Sequence, residues 1–252
     1  MHRAWTGRGE RFGGRPLDDG RHRCARSLVG VTSGDWHAWH AAYDDPDSWQ
    51  ARRLITVRER IRIALDAAPP GPVAVIALAA GEGRDLLPVL AEHPRRAEVT
   101  ALLVELDPRN ADVARAAALE LDLPGVRVIT GDAALTDHYV GAAPADLVLI
   151  CGLFPHITDD DIVTVIEHAA SFTKRGGTVL WTRHRREPDL VPQISDWFAA
   201  RGFAEVWVTD PSVEFAVAAH RQLADPPPVA AGVKLFTFVG VQALRPWEFP
   251  AP

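Results

Sequence analysis

The chain has 252 residues, of which 47% are hydrophobic, so it is long enough to bury a full core as one domain. Its 33 acidic and 27 basic residues give a formal net charge of -6, which argues against a nucleic-acid partner because phosphate binding needs a basic surface. The longest apolar run, Val73 to Ala80, is far shorter than the roughly 18 to 20 residues that cross a bilayer, so we expect no membrane span.

The first 34 residues contain seven arginines and seven glycines and have little apolar periodicity. This composition predicts a disordered basic tail, or a start codon assigned too early; the alternative is a basic arm that contacts an acidic partner. The segment lacks the apolar stretch and cleavage site of a secretory signal. The two cysteines, Cys24 and Cys151, have no metal-ligand spacing and favour a reducing, cytoplasmic setting without a bound metal.

The pattern changes at Asp35, where aromatic residues replace arginine and glycine. Trp36, Trp39 and Tyr43 precede a turn rich in aspartate, and a helix is predicted from Ser48 to Ala67. Its apolar residues recur at helical spacing and form one stripe, which consists of Leu54, Val57, Ile61, Ala64 and Leu65. Residues 35–67 are therefore predicted to form an N-terminal helical segment.

A buried strand, a glycine turn and a helix follow. The strand, Val73 to Ala79, is apolar on both faces, as expected for a parallel strand that is covered on both sides. The turn holds Gly81 and Gly83, and the helix opens at Arg84. Glycines at this position let the backbone pass close to a ligand at a helix N-terminus, so the turn predicts a nucleotide site.

An acidic residue stands where a ribose-binding carboxylate belongs. The next strand, Val99 to Val104, ends at Glu105, one helix and one strand after the glycine turn. A dinucleotide fingerprint would require a third glycine, but Leu86 or, in the other register, Arg84 occupies that place. An oxidoreductase that uses a nicotinamide dinucleotide is therefore the least favoured of the candidate classes.

Three further strands continue the alternation of strand and helix. The predicted strands are Val126 to Thr130, Ala145 to Cys151 and Thr178 to Thr182. Asp132 and Ala133 come just after the first of them, and a pair of glycines precedes the third. The intervening helices are predicted at Arg109 to Leu121 and Asp159 to Phe172. Over residues 70–183 this order of motifs resembles the class I S-adenosylmethionine-dependent methyltransferases of small molecules.

The resemblance implies a fold and a cofactor. The fold is α/β, a Rossmann-like doubly wound sheet that is mostly parallel with its last strand antiparallel, over residues 68–252, and residues 35–67 would be a lid. The cofactor would be S-adenosyl-L-methionine, with Glu105 on the ribose and Asp132 on the adenine. The expected cofactor-binding residues are Ala79, Gly81, Gly83, Asp85, Glu105, Leu106, Asp132, Ala133 and Cys151.

The chain departs from the family at two positions. Ala77 stands where the family has an acidic residue inside the first strand, and Ala79 replaces the first glycine of the turn. The strand acid helps to hold the amino group of the cofactor's methionine, so that contact must come from elsewhere. Glu82 and Asp85 are the candidates for the missing charge.

The segment after the fourth strand bears on the acceptor. Enzymes that methylate amino groups of nucleic acids or amides of proteins typically have Asn/Asp-Pro-Pro-Tyr-like residues there, whereas this chain has Cys151 to Phe154. A small-molecule acceptor is therefore expected, with O-methylation slightly favoured. The alternative is a protein that binds the cofactor or its demethylated product without catalysis, or a nonmethylating user of that cofactor.

His156 follows that segment and is a candidate general base, since an ordinary imidazole pKa near 6.5 suits this role. A structural loop residue or helix cap is the alternative. Arg183 and His184 end the fifth strand, at the edge where ligands bind in open α/β sheets, and an arginine there suggests an anionic acceptor. The expected acceptor-binding residues are Tyr43, Phe154, His156, Arg183 and His184.

The C-terminal part is predicted to complete the sheet. A helix is expected from Asp189 to Arg201, and strands at Ala204 to Thr209 and Val233 to Leu244. The resemblance implies that these strands form a hairpin. The long connection between them contains Pro226 to Pro228 and His220, a weaker candidate for the acceptor site.

Overall fold

The computed structural model describes residues 41–240 and residue 244. The predicted tail, residues 1–34, and residues 35–40 of the predicted N-terminal segment lie outside the described residues. The helices are α1 (Trp49–Ala67), α2 (Leu87–Glu92), α3 (Pro108–Glu120), α4 (Asp159–Phe172) and α5 (Val191–Ala200). The strands are β1 (Val73–Leu78), β2 (Val99–Glu105), β3 (Val126–Thr130), β4 (Ala145–Ile150), β5 (Thr173–His184), β6 (Phe203–Val208) and β7 (Phe215–Gln222).

The seven strands form one sheet in the order β3-β2-β1-β4-β5-β7-β6. Strands β1 to β5 pair in parallel, and β7 pairs antiparallel with both β5 and β6. Only β7 therefore runs against the others. This arrangement confirms the predicted doubly wound, mostly parallel sheet.

Both faces of the sheet are covered, as the apolar strands predict. Val73, Val75 and Ala77 of β1 belong to one core cluster, together with apolar side chains of α1, α2 and α3. Ile76 and Leu78, which alternate with them, belong to the other cluster, with side chains of α4 and α5. The period of two along the strand thus divides its side chains between two layers of helices.

Helix boundaries follow local sequence signals. Asp107 accepts a hydrogen bond from the backbone N–H of Arg109 at 2.9 Å and caps α3, whose first residue is Pro108. Thr158 caps α4 through the backbone N–H of Asp161 at 3.2 Å. Gly202, with φ of +85°, follows the end of α5. The ends of α3, α4 and α5 lie within two residues of the predicted ones, whereas the helix predicted to open at Arg84 begins at Leu87, because the glycine turn continues through residues 84–86.

The C-terminal part differs from the expectation. The strand that pairs with β6 is β7, and residues 233–240 form no strand beyond a single bridge between Lys234 and Leu135. His220 consequently lies inside β7, fully buried, and the proline run follows the hairpin instead of joining its strands. Gly176 and Gly177 also lie within β5, where a bulge shifts the pairing with β4.

Residues 233–240 instead lie across the carboxyl edge of the sheet, and we call them the C-terminal strap. The backbone N–H of Leu235 donates to the carbonyl of Ala134 at 2.8 Å, just after β3. The N–H groups of Val239 and Gly240 donate to the carbonyl of His156 at 2.8 and 3.0 Å, just after β4. The strap therefore covers the edge at which the predicted site residues end their strands.

Candidate functional site

The turn after β1 has the backbone conformation that glycine favours. Ala79, Gly81 and Gly83 have φ of 48°, 56° and 70°. At Gly83 an added Cβ would lie 2.8 Å from Leu87 Cδ1 and 3.1 Å from Leu103 Cδ2, so this glycine allows the turn to pack closely on the neighbouring helix and strand. Ala79 adopts the left-handed region at a cost of about 1 to 2 kcal/mol.

The Glu105 carboxylate is held in place by backbone donors at the end of β2. Oε2 accepts from the N–H of Gly81 at 2.8 Å, and Oε1 accepts from the N–H of Asp107 at 2.9 Å. The residue is buried, with 8% exposure. Because each carboxylate oxygen has two lone pairs, the group keeps acceptor capacity for a ligand while its orientation stays fixed.

Asp132 follows β3 on the same edge. Its Oδ1 accepts from the backbone N–H of Ala134 at 2.9 Å, and the Tyr139 hydroxyl donates to the carbonyl of Ala133 at 2.7 Å. The N–H of Gly131 donates to the carbonyl of Glu105 at 2.8 Å, which fixes the ends of β2 and β3 beside each other. Two oriented carboxylates thus stand next to the glycine turn.

A cavity of about 630 Å³ joins these groups, within the usual range of roughly 300 to 1,000 Å³ for small-molecule sites. Of the residues expected at the site, its wall includes Tyr43, Ala79, Gly81, Asp85, Glu105, Leu106, Asp132, Ala133, Cys151 and His156. The wall also contains residues that the sequence did not single out, among them Arg53, Arg84, Phe236 and Phe238.

Four expected residues are not part of this wall. Gly83 packs beneath the turn, and Phe154 is fully buried against Trp181, with ring centroids 5.7 Å apart. Arg183 is buried and donates from Nη1 to the carbonyl of Phe154 at 2.8 Å. His184 lies beside it at the end of β5. Phe154, Arg183 and His184 thus lie behind the lining residues and not among them.

His156 stacks on the strap. Its ring lies 5.0 Å from the ring of Phe238, at an angle of 16°, and the residue is buried. Burial, followed by the positive charge of Arg53 and the neighbouring His184 and Arg183, lowers the pKa of His156 to about 3. The imidazole is therefore neutral at physiological pH, and the ordinary pKa near 6.5 expected from the sequence is corrected.

The Cys151 thiol and the Tyr43 hydroxyl are both protonated at neutral pH, because burial raises the pKa of each group above its usual value. Cys151 therefore contributes a small apolar surface to the wall and no thiolate. Tyr43 accepts a hydrogen bond from Nη2 of Arg53. The cavity wall thus combines neutral polar groups with a few charges.

Those charges come mainly from the turn and from α1. Glu82 is paired with Arg84 at 2.5 Å, and Arg84 also reaches Asp44 at 2.6 Å. Burial raises the pKa of Asp85, while hydrogen bonds from backbone N–H groups and the nearby Arg53 and Arg58 oppose that rise. Arg53 is 5% exposed.

A sequence signal for Arg53 existed. It lies four residues after Trp49 and four before Val57, on the buried stripe of α1, where an arginine needs a specific partner. The strap carried no comparable signal, since its apolar run reads equally well as a strand. Neither a helix able to span a membrane nor a group of residues suited to a metal ion occurs in the described part of the chain.

Residues 75–177 match the model of a family described as a methyltransferase domain. An O-methyltransferase family protein from Burkholderia thailandensis superposes with a TM-score of 0.58 and 22% identity, covering 75% of this chain and 61% of that one. Magnesium protoporphyrin IX methyltransferase from Synechocystis PCC 6803, solved with bound SAM, superposes with a TM-score of 0.59 and 15% identity, covering 76% of this chain and 93% of that one.

An O-methyltransferase family 2 protein from Planctomyces limnophilus DSM 3776, in complex with apigenin, gives a TM-score of 0.57 and 16% identity, covering 75% of this chain and 62% of that one. The chain therefore spans about three fifths of the length of the first and third of these proteins. A comparison with curated proteins gives no match. At these identities the likeness to solved structures is one of fold.

Proposed function

We propose that the chain is a class I S-adenosylmethionine-dependent methyltransferase, since residues 75–177 match the model of a methyltransferase domain, and that it transfers the methyl group of S-adenosylmethionine to a small-molecule acceptor. The observation that carries this proposal is a cavity in which the turn after β1 and the carboxylates of Glu105 and Asp132 face a second wall of Tyr43, His156 and the strap residues Phe236 and Phe238. O-methylation is the slightly favoured reaction.

The first wall fits the adenosyl part of the cofactor. Glu105 would accept hydrogen bonds from the two ribose hydroxyls, and Asp132 would accept from the adenine amino group, as their places at the ends of neighbouring strands suggest. Leu106 and Ala133 follow these carboxylates and would flank the adenine ring. The bound cofactor supplies a sulfonium with a transferable methyl group, so the protein mainly has to align the acceptor with it.

The second wall fits the acceptor. His156 is neutral and would accept a hydrogen bond from an acceptor hydroxyl through its imidazole. With a pKa near 3 it is too weak a base to remove that proton completely, so its role is to orient the oxygen, or to share the proton during transfer. Phe238 stacks on His156 and would hold an apolar part of the acceptor.

The finding that Arg183 and His184 lie behind the wall bears on the charge of the acceptor. They act on the cavity through their electrostatic effect on His156, which they help to keep neutral. The acceptor is still proposed to be a small molecule and not a nucleic acid. Its negative charge is a weaker part of the proposal, because Arg84, which lines the cavity, is already paired with Glu82 and Asp44. We also propose a cytoplasmic location, which the two cysteines without metal-ligand spacing favour.

The test is turnover. Purified protein is incubated with S-adenosylmethionine and a metabolite extract, and products are read by mass spectrometry as a gain of one methyl group. We expect S-adenosylhomocysteine to form in step with one methylated product, and a Glu105→Ala, Asp132→Ala double variant to form neither. Tight binding of the cofactor without turnover on any extract would favour the alternative, a non-catalytic or nonmethylating user of the cofactor.

The N-terminal segment is proposed as a lid over the acceptor, with residues 1–34 dispensable. Tyr43 and Leu54 line the cavity from this segment, whereas Val57, Ile61 and Leu65 of α1 are buried in the core. The proposed lid is therefore the part of the segment before Val57. Deletion of residues 1–34 should leave cofactor binding and thermal stability intact. Deletion through Tyr43 should impair turnover more than cofactor binding, and equal losses in both would argue against a lid.

A further inference from the structure

Asp132 is held by the two peptide groups that follow Ala133 and Ala134. The N–H of Ala134 donates to Oδ1 of Asp132 at 2.9 Å, and the N–H of Leu135 donates to the backbone carbonyl of Asp132 at 3.0 Å. These N–H groups belong to consecutive peptide planes, of which the first carries the carbonyl of Ala133 and the second that of Ala134. The orientation of the Asp132 carboxylate therefore depends on what fixes these two planes.

A buried tyrosine fixes the first plane. The Tyr139 hydroxyl donates to the carbonyl of Ala133 at 2.7 Å, and the side chain is fully buried against Phe172, with ring centroids 4.7 Å apart. Burial, followed by the charge of Asp132, raises the pKa of Tyr139 above its usual value, so the hydroxyl stays protonated and acts as a donor. Because a peptide group is planar, a hydroxyl that holds its oxygen also sets the direction of its N–H, which here points at Asp132.

The C-terminal strap fixes the second plane. The N–H of Leu235 donates to the carbonyl of Ala134 at 2.8 Å, and Lys234 forms an antiparallel bridge with Leu135. The Leu235 side chain is 1% exposed and belongs to the same core cluster as Tyr139. The strap is thus anchored in the core at the point where its backbone holds the loop after β3.

We propose that the Tyr139 hydroxyl and the Leu235 N–H are positioning groups that hold Asp132 in the orientation that selects adenine over hypoxanthine. This inference rests on the proposed function, because it takes Asp132 as the partner of the adenine amino group. Tyr139 and Leu235 are not among the residues that line the cavity, so both act through Asp132 and not by touching the ligand. Selection of the base then depends on a strap residue that lies outside the span matching the family model.

A change of one group on the base isolates this effect. S-inosylhomocysteine differs from S-adenosylhomocysteine in that an oxygen replaces the 6-amino group and N1 carries a proton. A carboxylate fixed to accept from the amino group faces that oxygen instead and rejects the ligand, whereas a carboxylate free to rotate accepts from N1–H. The ratio of the two dissociation constants therefore reports the orientation of Asp132, because a general loosening of the cavity weakens both ligands alike.

The experiment is calorimetric titration of the full chain and its variants with both ligands. We expect the wild type to prefer S-adenosylhomocysteine by roughly 10- to 100-fold, the range of one charge-assisted hydrogen bond. Tyr139→Phe keeps the ring and removes the hydroxyl, and it should reduce this preference by about three- to tenfold without weakening the binding of S-inosylhomocysteine. Leu235→Pro removes the backbone N–H and should reduce the preference by a similar factor.

Two matched controls separate positioning from stability. Thr173→Val removes another buried hydroxyl that donates to a backbone carbonyl, that of Ala169 at 2.8 Å, and Leu235→Ala shortens the side chain but keeps the N–H. Both should lower the free energy of unfolding in urea and keep the wild-type preference. Circular dichroism establishes that each variant is folded, and Tyr139→Phe carries the test if Leu235→Pro is not.

An unchanged preference in a folded Tyr139→Phe or Leu235→Pro protein would overturn the inference. So would a loss of preference in Thr173→Val as large as that in Tyr139→Phe. A wild-type chain that binds both ligands equally would also overturn it, because Asp132 then does not select the base. A wild-type chain that binds neither ligand would instead refute the proposed function.

Discussion

Replacing Glu105 by alanine tests the cofactor site most directly. The wild-type carboxylate accepts from the N–H groups of Gly81 and Asp107, so it is oriented before a ligand arrives. Two hydrogen bonds from ribose hydroxyls to this charged group are worth roughly 1.5 to 3 kcal/mol each before water competes. The expected loss of binding free energy is therefore on the order of 2 to 4 kcal/mol, or roughly 30- to 1,000-fold in Kd.

The same substitution removes the partner of two backbone donors. Because these N–H groups line a cavity that water can enter, we expect the free energy of unfolding to fall by only about 1 to 3 kcal/mol. Calorimetric titration with S-adenosylhomocysteine measures the first effect, and urea unfolding measures the second. Glu120→Ala, at the exposed end of α3, is the control and should change neither. An unchanged Kd in a folded Glu105→Ala protein would refute the ribose assignment.

Four further substitutions follow from the geometry. Gly83→Ala should lower the free energy of unfolding by about 2 to 4 kcal/mol, because residue 83 has a left-handed backbone conformation and the added Cβ would clash with Leu87. Ala79→Gly should leave the free energy of unfolding unchanged or raise it by up to ~1 kcal/mol, since glycine adopts the left-handed conformation without strain. Urea unfolding measures both effects. His156→Ala should lower kcat by roughly 10- to 100-fold. Because the pKa of His156 is about 3, the pH profile of the wild-type rate should show no protonation of this imidazole above about pH 5. An acidic limb of that profile at about pH 6 to 7 that disappears in the variant would contradict this. Burial lowers the pKa of His220 to about 4, below the ordinary value of 6.5 in the unfolded chain. Protonation therefore favours the unfolded state, and the free energy of unfolding falls as the pH drops from about 6.5 towards 4. Urea unfolding at about pH 7.5 and pH 5 should show that His220→Gln removes about 2 kcal/mol of this fall.

Local patterns were sufficient to predict part of the cavity wall. The turn after β1 and the carboxylates at the ends of β2 and β3 depend on residues adjacent in sequence, and the structure brings Gly81, Glu105 and Asp132 into one cavity; that they bind the cofactor stays a prediction. The sheet order then brought them together, as the carboxyl ends of parallel strands require.

Long-range pairing was not visible in the same way. The apolar residues from Val233 onward predicted a strand, yet β7 is the strand that pairs with both β5 and β6, and residues 233–240 form only the bridge between Lys234 and Leu135. His220 was misplaced for the same reason. It accepts from Trp181 Nε1 at 3.1 Å inside the core, a contact between residues 39 positions apart.

The role of Arg183 could not be derived from its strand position. The position of Arg183 at the end of β5 was predicted correctly, but the direction of its side chain depends on a hydrogen bond to the carbonyl of Phe154, which lies in the turn after β4. Arg53, in contrast, interrupts a stripe of apolar residues and is recognisable in retrospect. A buried charge on an amphipathic helix is thus a more useful signal than a charge at a strand end.

The cavity wall has two origins in the chain. The glycine turn, Glu105 and Asp132 lie within the span that matches the family model, whereas Tyr43, Phe236 and Phe238 lie before and after it. The two outer segments that carry these residues, 41–54 and 233–240, contain no strand of the sheet. A mutagenesis library confined to residues 41–54 and 233–240 would therefore vary one wall of the cavity while it leaves the glycine turn, Glu105 and Asp132 unchanged.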